Sequence, residues 1–134
     1  MEFIGSRAPE TASDIAAYRG ATPLTFHGAL PQEQLARAMR DSSVLVLPSL
    51  EEGFGLVVPQ ALNCGCPCIV SDRVGGKDCI RHRENGGIFP MGDAAALAAE
   101  LDWWERHPVR TRENFTWTGG ARTLIAQSEA ALNS

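Results

Sequence analysis

The chain has 134 residues, 44% of them hydrophobic, with 12 lysines and arginines against 16 aspartates and glutamates for a formal charge of −4. One domain spanning 1–134 with a real core is expected, and the mixed, slightly acidic charge argues against nucleic acid or an anionic membrane as partner. No apolar run approaches the roughly 20 residues of a transmembrane segment, and the start, Met1–Arg7, does not have the pattern of a leader, so a cytoplasmic location is expected.

In chain order, Met1–Ile4 is a brief apolar run closed by Gly5 and Ser6, consistent with the end of a strand. Ile15 and Tyr18 stand at helical spacing, which predicts a short helix over 10–19 closed by Gly20. Leu24–Gly28 reads as a second strand. Pro31 then opens a helix through Arg40, in the first turn, where its missing N–H is tolerated. Val44–Leu47 is short, β-branched and closed by Pro48, which predicts a buried strand. A helix over Val57–Asn63 follows, with Pro59 early enough in it to be accommodated. Cys66–Val70 reads as the next strand, residues 72–78 as a loop, and Cys79–Arg81 as a helical turn. Asn85 and Gly86 turn into a strand at Gly87–Phe89. Asp93 is placed to cap a strong helix, Ala94–Arg106, whose Leu97, Leu101 and Trp104 share one face, and Pro108 ends it. A last helix is expected over 118–132. Strands alternating with helices across short glycine-bearing loops predict an α/β fold with a mostly parallel sheet.

The chemistry concentrates in the loop Pro48-Ser49-Leu50-Glu51-Glu52-Gly53-Phe54-Gly55-Leu56. Gly53 and Gly55 let backbone approach a ligand closely, and the helix that follows turns free N–H groups back toward the loop. Two carboxylates stand at its mouth. The combination suits a ligand carrying both phosphate and hydroxyl groups. Taken alone, Glu51 and Glu52 would pass for a solvated pair and the glycines for a tight turn. Arg73 and Lys77 flank Gly75-Gly76 and are placed to help neutralise phosphate, although solvated loop charge is the ordinary role of such residues.

Three of the four cysteines fall within Cys64-Gly65-Cys66-Pro67-Cys68, with Cys79 and His82 further on. Structural zinc sites usually leave two to four residues between paired cysteines and need a second pair, so small buried thiols in a reducing compartment are the better reading. His27 ends a strand as a polar cap, His82 and His107 read as surface residues, and the tryptophans as packing.

Seven pieces occur together in order: Phe26-His27-Gly28, Pro48-Ser49, Glu52-Gly53-Phe54-Gly55-Leu56, Ala61-Leu62-Asn63-Cys64-Gly65-Cys66-Pro67, Gly75-Gly76, Asn85-Gly86-Gly87 and Phe115-Thr116-Trp117. In this the chain resembles the carboxy-terminal, donor-binding domain of retaining GT-B glycosyltransferases of the family-four type. The resemblance implies a Rossmann-like open sheet flanked by helices that binds a nucleotide-diphosphate sugar at the carboxyl ends of its strands, with no cofactor and no obligatory metal. It implies that Glu52, as the first glutamate of the family's Glu-x7-Glu motif, accepts hydrogen bonds from donor-sugar hydroxyls near the anomeric centre. The backbone amides of Phe54, Gly55 and Leu56 would meet the sugar and its diphosphate, and Gly75 and Gly76 would line the far wall of the nucleotide pocket.

The chain departs from that pattern at two places. The motif's second glutamate, which grips the ribose diol, is here Gln60, an amide with one acceptor group and one donor group. The first strand of the family domain, its basic Gly-Arg…Lys-Gly stretch and the acceptor-binding amino-terminal half are not in these 134 residues. A donor-binding half that needs a partner chain or an amino-terminal domain is therefore expected. The alternative is a truncated, non-catalytic relative acting as an interaction module or subunit, with homodimerisation through exposed strand edges.

Overall fold

The computed structural model describes residues 1–6 and 9–116. Its contacts divide the chain into two compact units, Met1–Leu35 and Ala36–Ser134.

In the first unit β1 (Glu2–Phe3) and β2 (Thr25–Phe26) pair in parallel, with Glu2 opposite Thr25 and Phe3 opposite Phe26. The two phenylalanine rings stack with centroids 4.7 Å apart. Past the strands the Gly5 amide donates to the Gly28 carbonyl at 2.8 Å. A 3-10 turn, Pro9–Thr11, leads into α1 (Ala12–Ala17). The helix expected to run to residue 19 stops at Ala17 because Tyr18 turns extended, at φ −59° and ψ 128°. Its hydroxyl instead donates to the Thr22 carbonyl at 3.0 Å and pins the connection to β2.

The boundary between the units falls within α2 (Gln32–Asp41), which opens directly after Pro31 as expected. In the second unit β3 (Leu45–Leu47), β4 (Cys68–Ser71) and β5 (Gly86–Phe89) form a parallel sheet in the order β3-β4-β5. Leu45 stands opposite Cys68 and Val70 opposite Ile88. Parallel neighbours need crossovers, and α3 (Val57–Asn63) lies in the connection from β3 to β4. All four residues of β4 are buried, as a central strand requires. Ile69 of β4, Phe89 of β5 and Trp104 of α4 (Ala94–Arg106) form a core cluster, with Leu97, Leu101 and Val44 packed against it. Trp104 thus packs as expected, and the face of α4 read from the sequence is the face that is buried. Asp93 caps α4 by accepting the Ala96 amide at 2.9 Å. Val58, Ala61 and Leu62 of α3 are fully buried. The arrangement is the α/β fold expected, parallel sheets flanked by helices.

The strands β1, β2 and β3 are shorter than the runs expected for them, and later boundaries shift as well. β4 begins at Cys68 rather than Cys66, because the Cys66 amide is spent on the Ala61 carbonyl at 2.9 Å, closing α3, and Pro67 has no N–H. Gly65, at φ +85°, makes the turn between them. β5 begins at Gly86, not Gly87. Gly86 faces Cys68 so closely that a β-carbon there would overlap the Cys68 carbonyl oxygen. The helical turn expected at 79–81 lies earlier, as a 3-10 helix over Gly75–Cys79, stitched by Lys77 N–H to Val74 and Ile80 N–H to Lys77. Trp117 and the helix expected over 118–132 lie outside the described residues.

All four cysteines are free, with Cys66 and Cys68 buried and Cys64 and Cys79 half-buried. Burial pushes the Cys66 thiol up to about 11 and raises that of Cys68 further, since neither thiolate would be solvated. No helix among the described residues is long and apolar enough to cross a membrane.

Candidate functional site

The site is built at the carboxyl ends of β3 and β4. Ser71, the last residue of β4 and fully buried, donates its hydroxyl to the Ser49 carbonyl at 2.6 Å, two residues beyond β3. The acidic loop therefore leaves the sheet from an anchored point. It is fastened a second time to the loop after β4: the Glu52 amide donates to the Arg73 carbonyl at 3.4 Å, and the Gly75 amide is shared between the carbonyls of Glu52 (3.3 Å) and Gly53 (2.8 Å). These bonds make a short parallel bridge between Glu52 and Val74.

Glycine is required at this crossing. A β-carbon on Gly75 would overlap the Gly53 carbonyl, and one on Gly76 would lie 2.8 Å from the Phe54 carbonyl oxygen and 3.0 Å from the Val58 side chain. Gly55 turns the loop into α3 at φ +64°, a conformation that L side chains adopt only under strain. Close approach of two loops, rather than flexibility, accounts for Gly75 and Gly76.

Between the loops lies an open cleft of about 550 Å³ whose walls include Glu51, Glu52, Asp72, Arg73, Gly75 and Lys77, with Leu50 and Met91 as apolar edges. Lys77 Nζ donates to the Asp72 carbonyl at 2.7 Å, which fixes the ammonium on this side of the loop. The Asp72 carboxylate accepts the Met91 amide at 3.0 Å, tying in the segment after β5. Carboxylates that accept hydrogen bonds from hydroxyls thus stand beside two cations that can face phosphate oxygens, within one solvent-open space.

The residues singled out in the sequence fall into three groups. Glu52 and Gly75 line the cleft directly. Gly53 and Gly55 form the supporting turn and the buried Gly76 packs beneath it from the facing loop, while Phe54 and Leu56 are exposed, 54% and 45% accessible. Gln60 is half-buried one turn into α3, its backbone N–H donating to the Leu56 carbonyl at 3.3 Å, and it is not among the residues of the cleft. Arg73 and Lys77, weighed in the sequence as phosphate partners, do line it. Leu50, Asp72 and Met91 were not singled out there. Asp72 carried a signal, since it follows the β4 run directly, at the end where parallel sheets bind ligands. Met91 carried none, because it is separated by 39 residues of sequence from Glu52 (91 − 52) and is brought in only by the β4–β5 pairing.

Residues 3–120 match the family Glycosyl transferases group 1. The chain belongs to the group 1 glycosyltransferases. It is 32% identical over 141 residues to a D-inositol 3-phosphate glycosyltransferase of Streptomyces coelicolor, an alignment covering 97% of this chain and 31% of that protein. A protein of the same description from Streptomyces scabiei is 37% identical over 140 residues, covering 96% of this chain and 31% of that one. Among solved structures, a sucrose-phosphate synthase from Thermosynechococcus elongatus superimposes with a TM-score of 0.77 at 27% identity, covering 97% of this chain and 38% of that one. The chain therefore spans about a third of the length of the curated relatives it matches. The fold is that of a GT-B glycosyltransferase domain of the family-four type, matching the carboxy-terminal part of its relatives.

Proposed function

We propose that this group 1 glycosyltransferase domain binds a nucleotide-diphosphate sugar in the cleft between the acidic loop and the Gly75-Gly76 loop, as the donor-binding half of a retaining glycosyltransferase. The observation that carries the reading is the placement of Glu52, Gly75, Arg73 and Lys77 in one cleft at the carboxyl ends of parallel strands, where open α/β sheets take their ligands.

In this reading Glu52 accepts hydrogen bonds from sugar hydroxyls next to the anomeric carbon and stabilises the positive charge that develops there as the leaving diphosphate departs. The amides of Phe54, Gly55 and Leu56, which find no acceptor among the described residues, donate to donor oxygens. Gly75 forms the facing wall, and Gly76 lets the acidic loop sit low enough for its amides to reach. The ribose extends past the cleft to Gln60 on α3, which stands where the family resemblance puts a diol-gripping carboxylate, and which donates to one hydroxyl while accepting from the other. No cofactor or obligatory metal is invoked. Acceptor groups come from outside these 134 residues, from an amino-terminal half or a partner chain.

An NMR titration of the 134-residue chain with UDP-glucose, GDP-mannose and ADP-glucose tests the reading. Saturable shifts of the Gly53, Phe54, Gly55 and Gly75 amides at sub-millimolar to millimolar ligand support it. A dispersed spectrum unmoved by all three at millimolar concentration overturns it.

A further inference from the structure

The Glu52 side chain is exposed and forms no ion pair among the described residues; the one group that holds its carboxylate is the Ser49 hydroxyl, which donates to Oε2 at 3.3 Å. A free glutamate on a loop loses rotamer entropy when a ligand immobilises it. That loss weakens every contact the carboxylate makes, unless the protein has already selected the rotamer.

Both ends of the Ser49–Glu52 bond stand on backbone that is fixed independently. Ser49 is held through its carbonyl by Ser71, whose buried hydroxyl lies 2.6 Å away at the end of β4. Glu52 is held through its amide and carbonyl by Arg73 and Gly75. The link from Ser71 through Ser49 to the Glu52 carboxylate thus runs from the sheet to the cleft. It occupies one lone pair of Oε2 and leaves Oε1 for a ligand.

Resting on the donor-site reading above, we propose that Ser49 is a positioning residue for the sugar-binding carboxylate of Glu52, with Ser71 holding Ser49 in place. Its effect falls on recognition of the hexose and not on recognition of the nucleotide. A hydroxyl that merely closed the turn at 49–52 would instead weaken both alike, or neither.

The test is calorimetry on the full chain with three pairs of probes, UDP and UDP-glucose, GDP and GDP-mannose, ADP and ADP-glucose, reading the affinity gained from the sugar in the pair that binds. Ser49→Ala should cut that gain about three- to ten-fold, the range of one hydrogen bond to a charged group, with affinity for the nucleoside diphosphate unchanged. Ser49→Thr, which keeps the hydroxyl, should restore it, and Ser49→Val should behave as Ser49→Ala where alanine fails to fold. In a Glu52→Gln background, replacing Ser49 should have less than its full effect, because the charged acceptor is gone. An unchanged sugar gain in both Ser49→Ala and Ser49→Val, or equal losses for diphosphate and sugar nucleotide, overturns the role of Ser49 alone. A wild-type chain that binds no nucleotide sugar, or binds it no better than the diphosphate, overturns the sugar role of Glu52 and this inference with it.

Discussion

The amide of Gly75 points at the carbonyl of Gly53, 2.8 Å away, and no β-carbon fits between the two residues. One glycine thereby sets the distance between the loops that form the cleft. Gly75→Ala should push the acidic loop off the β4 side, costing about 1–3 kcal/mol of stability by overpacking. Urea unfolding would show the loss, and amide shifts confined to 50–56 and 72–78 would show where the strain goes. A variant with wild-type stability and spectrum would mean the loops separate freely.

Gln60 offers a gain of function. Gln60→Glu places a carboxylate where the amide now stands, and an ionised acceptor makes stronger hydrogen bonds to a ribose diol than an amide does. Donor affinity should rise about ten-fold, equivalent to about 1.4 kcal/mol, with a 2′,3′-dideoxynucleotide showing no such rise. Calorimetry with both nucleotides checks it, and equal responses would remove Gln60 from the site.

The core prediction concerns Trp104, which is 4% exposed and packs with Ile69 and Phe89. Trp104→Ala should cost about 3–5 kcal/mol through the cavity it leaves. Trp104→Phe should cost much less, under about 1.5 kcal/mol, because the indole N–H has no acceptor among the described residues and its loss relieves an unpaired buried donor. Chemical denaturation of the two variants separates the outcomes.

The buried thiols predict an alkaline weakness. An unfolded cysteine ionises near 9.0, whereas burial makes folded Cys66 hold its proton to about 11 and Cys68 beyond it. Between those values the unfolded state binds fewer protons than the folded one, so stability is intact below pH 9 and falls above it, by about 1.4 kcal/mol per pH unit for each such thiol. Urea midpoints measured from pH 8 to pH 10.5 should drop accordingly, and Cys66→Ala together with Cys68→Ala should flatten the slope. Below pH 8, alkylation followed by mass spectrometry should label Cys64 and Cys79 before the two buried positions.

Much of the second unit was legible because its signals are local. The α4 boundaries follow from the Asp93 cap, the spacing of Leu97, Leu101 and Trp104, and the stop at Pro108, all within 16 consecutive residues (93 to 108). The acidic loop was legible for the same reason, since its glycines and carboxylates are contiguous. Strand ends were not. Whether β4 starts at Cys66 or Cys68 depends on which carbonyl takes the Cys66 amide, and the one that does, Ala61, lies outside the strand run.

By itself the sequence determined the α/β alternation, the positions of α2, α3 and α4 and the loop that carries Glu52, because periodicity, capping and turn chemistry act over a few residues. Tertiary structure decided how that loop becomes a cleft. The Ser71–Ser49 bond, the Glu52–Val74 bridge and the arrival of Asp72, Lys77 and Met91 all depend on β3, β4 and β5 lying side by side in parallel register. Such pairing joins residues 18 or more positions apart, and no local pattern of side chains encodes which backbone groups will meet.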